Sequence, residues 1–82
     1  MPQKRIRIKW ITSDKACGYA HPDKRVIELD KRLDDKTLLE IAAHETAHVV
    51  LPVLDETAVE TLGREVADVL WRLGFRRIAE DE

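Results

Sequence analysis

Ile41-Ala42-Ala43-His44-Glu45-Thr46-Ala47-His48-Val49-Val50 is an apolar run broken by two histidines four residues apart, with a glutamate directly after the first. Together with Leu38, Leu39 and Leu51, its apolar residues fall nearly all round a helical wheel, the pattern of a buried central helix. Residues four apart share one helical face, so His44 and His48 can aim their imidazoles at a single metal ion. Glu45 lies about 100° round from His44, close enough to reach a metal-activated water without being a ligand. Two core histidines bonded to backbone carbonyls would be the plain alternative. The ligand spacing, with a carboxylate beside it, favours a metal over that arrangement, because each of these polar groups needs a partner when buried.

Working outward, Asp34-Asp35-Lys36-Thr37 precedes the run. It offers several N-caps, including a Thr37 to Glu40 capping box, and its aspartates favour the positive end of the helix dipole. The helix is predicted over about residues 35–51, because the residue before Pro52 avoids helical angles. Val53-Leu54-Asp55 is a tight connection in which Asp55 caps a second helix, over about residues 56–73. Gly74 supplies its C-cap, with Phe75 packing back. The apolar stripe of that helix is Val59, Leu62, Val66, Val69, Leu70 and Leu73. Trp71 lies off the stripe and is expected to cover the first strand or an interface. Arg76-Arg77 and Glu80-Asp81-Glu82 read as a frayed tail.

Upstream, Lys4-Arg5-Ile6-Arg7-Ile8-Lys9-Trp10 alternates strictly. It predicts a strand over about residues 4–10, with Ile6, Ile8 and Trp10 facing the core and Arg5, Arg7 and Lys9 facing water. Gly18-Tyr19-Ala20, the turn His21-Pro22-Asp23-Lys24 and Arg25-Val26-Ile27-Glu28-Leu29 read as a hairpin, with strands over about 18–20 and 25–29. His21 is expected at its tip as a solvent-exposed turn residue, not a ligand. The expected fold is α+β: one domain over residues 1–82, with a small N-terminal antiparallel sheet, strand plus hairpin, packed on two antiparallel helices.

Eighty-two residues build only a small core, in the size range where a metal often supplements hydrophobic burial. The single cysteine, Cys17, excludes an internal disulfide framework and suits a reducing compartment. With no apolar leader and no run long enough to span a bilayer, a soluble cytoplasmic protein is expected. The net charge of −2 gives the domain as a whole no electrostatic footprint for nucleic acid, so nucleic acid is not an expected partner.

A catalytic zinc site normally takes three protein ligands, and two histidines leave one to be found. The short turn at Pro52 makes the second helix run back along the first, which brings Glu56 and Glu60 within reach. On the helical wheel Glu56 faces the core more directly, and Gly63 on the same side would allow close approach of the histidine helix. His44-Glu45-x-x-His48 followed by Glu56-x-x-x-Glu60-x-x-Gly63 resembles the gluzincin metallopeptidases, and with its short spacing the minimal zincins of phages and prophages in particular. That resemblance implies one zinc per chain held by His44, His48 and Glu56. It also implies Glu60 as the group that hydrogen-bonds a ligand histidine and fixes its tautomer. Glu60 stands where the family has aspartate, one methylene shorter.

The implied activity is hydrolysis of peptide bonds by a zinc-activated water, with Glu45 as general base. The resemblance further implies that the strand at Val26, Ile27, Glu28 and Leu29 is the edge that holds an extended peptide substrate. Tyr19 is the candidate oxyanion donor. A zinc-stabilised protein-binding module without turnover is the alternative. Trp71 and the short core leave room for a homodimer or for a larger partner that completes the cleft.

Overall fold

A computed structural model describes residues 4–78. It places β1 at Arg7–Ile11, β2 at Gly18–His21, β3 at Val26–Asp30, α1 at Asp35–Val50 and α2 at Glu56–Arg72. The α+β architecture is the expected one, a three-stranded sheet backed by two antiparallel helices. The tail at residues 80–82 lies outside the described residues.

The sheet is mixed, where a purely antiparallel one was expected. β3 is its central strand, in the order β1-β3-β2. It pairs antiparallel with β2, from Gly18 opposite Leu29 to His21 opposite Val26. With β1 it pairs in parallel, from Arg7 opposite Val26 to Ile11 opposite Asp30. The link after β1 crosses the end of β3 before β2 begins, so β1 and β3 run the same way. Asp30 pins this crossover. Its carboxylate accepts bonds from the Ser13 amide at 3.3 Å, the Arg32 amide at 2.9 Å, and Arg32 Nε and Nη2 at 3.0 and 2.7 Å. Arg32 Nη2 also donates to the Ser13 carbonyl at 2.8 Å. The Arg32 guanidinium and these amides hold the Asp30 carboxyl well below the usual carboxylate range.

Ile27 and Leu29 turn toward α1 and bury against Leu38 and Val49, with Ile6, Ala20, Leu33, Ile41 and Ala42 around them. α1 packs on β2 and β3 without reaching β1, and α2 packs on α1 alone. Ile8 and Trp10 share the helix-facing side of the sheet, yet they stay 56% and 39% exposed because α1 stops short of them. Their expected core placement is thereby corrected, and only Ile6 of that row joins the core.

Both helices start at aspartates. Asp34 accepts from the Thr37 amide at 2.8 Å and Asp55 from the Ala58 amide at 2.7 Å, each satisfying an otherwise unpaired first-turn donor. Asp55 is the expected cap, and at α1 the cap is Asp34, one of the several expected there. Between the helices Val59 is fully buried. At Gly63 an added Cβ would lie 3.0 Å from the Glu40 carbonyl oxygen and 3.4 Å from the His44 Cβ, so the close approach expected there is real. Gly74 has φ of +95°, as a glycine C-cap does.

The segment after α2 folds back where fraying was expected. The Arg76 guanidinium stacks 3.3 Å from the Trp71 ring centre, and that of Arg77 lies 4.8 Å from Trp10. It is therefore Arg77, not Trp71, that reaches the first strand. No helix among the described residues is long and apolar enough to cross a membrane.

Candidate metal centre

α1 carries His44, Glu45 and His48 on consecutive turns, and α2 begins with Glu56 directly after its cap. Residues 51–55 reverse the chain between them, which sets the first turn of α2 beside the last two turns of α1. The Nε2 atoms of both histidines meet the Glu56 carboxylate. His44 Nε2 lies 3.1 Å from Oε2 and His48 Nε2 lies 3.1 Å from Oε1. The two imidazoles are 4.9 Å apart at their centres and inclined by 69°. One ligand atom from each of the three residues falls within 4.8 Å of the others.

This donor set fits a divalent ion of the zinc type. Ligands about 2.0–2.1 Å from a tetrahedral zinc lie about 3.3 Å from one another, close to the nitrogen–oxygen separations found here. Two imidazoles and one carboxylate leave the fourth position of such an ion for a water. The histidines are largely buried, whereas the Glu56 side chain is 62% exposed, so the centre opens toward solvent on the α2 side.

Glu45 sits one step round the helix and is buried. Its stem packs beneath Gly18, where an added Cβ would come within 3.3 Å of Glu45 Cγ and 2.7 Å of the Glu28 carbonyl oxygen. Gly18 is therefore the point at which β2 crosses close over α1. Burial pushes the Glu45 carboxyl up from its ordinary value, and the neighbouring histidines pull it back in part. A carboxylate raised in this way is a better proton acceptor near neutral pH.

The remaining expected site residues are placed differently. Glu60 is exposed and among the described residues makes no hydrogen bond or ion pair with either imidazole, so the tautomer-fixing contact expected of it is not formed. β3 is paired on both sides, and Val26 and Ile27 are buried. Residues 26–29 therefore present no free edge to a peptide, which corrects their assignment as the substrate-holding strand. The edge next to the metal centre belongs to β2. Tyr19 lies on β2 opposite Glu28, so it points to the sheet face away from α1 rather than toward the histidines.

Two features escaped the sequence reading. His21 closes β2 instead of standing at a free tip, and its side chain is only 40% exposed, with Nε2 lying 3.5 Å from Glu28 Oε2. Its charge also acts on Glu45. In the sequence Gly18 signals only the start of a strand. The small residue ahead of Tyr19 was the available signal for a close crossing. No family model, curated protein sequence or solved structure matches this chain.

Proposed function

We propose that this chain is a zinc-dependent metallopeptidase-like domain of the minimal gluzincin type. The observation that supports this most directly is the meeting of His44 and His48 Nε2 on the Glu56 carboxylate, with a buried Glu45 beside them. In this reading His44, His48 and Glu56 hold the ion. Zinc, when bound, polarises a substrate carbonyl and lowers the pKa of a water toward about 7. Glu45 takes the proton of the attacking water and passes it to the leaving amine. The free edge of β2 pairs with the extended peptide and sets its register, while Gly18 keeps that edge close to Glu45. Cys17 as a lone thiol is in keeping with a cytoplasmic location.

The geometry also gives weight to a second reading, a zinc-stabilised protein-binding module. Around the histidines of α1 stand one edge strand and the start of α2, and among the described residues no further element walls a cleft. Zinc would then serve mainly to fasten α2 to α1.

Elemental analysis of the purified protein, followed by hydrolysis of a peptide library by the wild type and by Glu45→Gln, separates these readings. The enzyme reading expects about one zinc per chain in both proteins and cleavage only by the wild type. Zinc in both without cleavage in either establishes the binding module. Failure of the wild type to take up zinc overturns both.

A further inference from the structure

The face of the sheet opposite the helices carries a second candidate site, unrelated to the histidines. Alternation places Arg7 and Lys9 of β1, Glu28 of β3, and Tyr19 and His21 of β2 on this side, because in-register partners share a face. Together with Lys24 from the β2–β3 turn, Arg7, Lys9, His21 and Glu28 line a concavity of about 460 Å³. Lys9 is 69% exposed, and Arg7 and Lys24 are exposed as well. The one carboxylate among them is flanked, with Glu28 Oε2 4.0 Å from Lys9 Nζ and 3.5 Å from His21 Nε2.

The low net charge of the whole chain conceals how unevenly that charge is spread. Residues 4–32 carry nine Lys and Arg against four Asp and Glu, whereas residues 33–78 carry five against nine. The sheet is the positive pole of the molecule and the helices are the negative one. A polyanion approaching it is drawn to the sheet and repelled from the helices.

From this placement we propose that the outer sheet face binds the sugar-phosphate backbone of single-stranded nucleic acid. Cations at alternate positions of an extended strand make a row that can follow a flexible strand of phosphates. Tyr19, 37% exposed and on the same face two strands from that row, across Glu28, offers a face on which a base can stack. An acidic polypeptide would use the cations but has no use for the tyrosine face, and this favours the nucleic acid. The face does not need the metal centre for binding, since α1 and its histidines lie on the other side of the sheet.

The test is fluorescence anisotropy of a labelled oligothymidylate against the full chain over a salt series, with circular dichroism confirming that each variant folds. About three to four phosphate contacts predict a log–log salt slope of about −2 to −3 for a single strand. The double variant Arg7→Glu/Lys9→Glu should flatten that slope by about 1.4, and Tyr19→Ala should weaken binding by about tenfold. Glu28→Gln should tighten binding, because it removes the one carboxylate that lines the concavity among the described residues. Arg64→Glu, an exposed change on α2, should leave binding unaltered. Absence of binding at low salt, or equal losses in the Arg64 and Arg7/Lys9 variants, overturns the proposal. So does equal competition by polyglutamate, which would make the face a surface for acidic proteins, or a duplex bound as tightly without regard to Tyr19.

Discussion

At the scale of single residues, Gly18 and Asp30 do the most to hold the site's surroundings in place. Gly18→Ala would put a methyl 2.7 Å from a backbone oxygen of β3 and 3.0 Å from Ile41 Cγ2. Backbone cannot yield as a flexible side chain does, so the expected loss is about 1–3 kcal/mol, read as a lower urea midpoint. An unchanged midpoint would show that β2 can lift off α1 freely. Asp30 gives a pH-dependent expectation. Its carboxyl titrates in the folded chain well below the ordinary 3.8, so the folded state binds this proton less readily than the unfolded one. Its stabilisation is complete above about pH 4 and drains away as the pH falls further. Denaturation midpoints at pH 7 and pH 3 should therefore differ more in the wild type than in Asp30→Asn, which should already be weaker at pH 7. Equal pH dependence in both would remove Asp30 from the crossover's support. The meeting of His44, His48 and Glu56 is legible in the sequence at this scale, because helical spacing brings the two histidines to one side and the short turn at Pro52 returns Glu56 to them. The Asp30–Arg32 clasp is not, since nothing in the order of the chain reveals that residues 12–17 pass over that carboxylate.

Among elements, α2 has a single neighbour. It rests on α1 and on no strand, and Glu56 in its first turn meets both histidines. A bound ion at this point would fasten the start of α2 to the last turns of α1, beside the reversal at residues 51–55. Amide hydrogen exchange with and without zinc is expected to show slower exchange over residues 56–72, with little change in β3. Uniform slowing throughout the chain would mean that the two helices and the sheet open together, not separately. Both helices could be read to within a residue or two at each end, because caps, Pro52 and Gly74 are local signals. Strand neighbours could not. Alternation tells which side chains share a face, but it carries no information on which strand lies in the middle. Alternation alone therefore allows Val26–Leu29 an edge position that β1 and β2 both cover, and Ile8 and Trp10 a helix that packs only on the other two strands.

For the whole molecule, a small core makes any added link between elements weigh heavily in the total. Zinc at about one hundred times its dissociation constant would stabilise the fold by about 2.7 kcal/mol, which for a domain of this size raises the melting temperature by roughly 10–20 °C. The shift should vanish in His48→Ala, as followed by thermal melts with and without chelator. A shift that survives this substitution would place the ion elsewhere. The short reversal at residues 51–55 has a kinetic consequence as well. His48 and Glu56 are separated by only seven residues, so bringing their ends together in an unstructured chain costs only about 2 kcal/mol in loop entropy. β1, by contrast, must find a partner strand that follows it across the whole of β2. An ion can thus gather its ligands before the sheet has formed and serve as a nucleus for it. Refolding followed by tryptophan fluorescence should then quicken as zinc is added, whereas an ion admitted only to the finished fold would slow unfolding and leave the refolding rate alone.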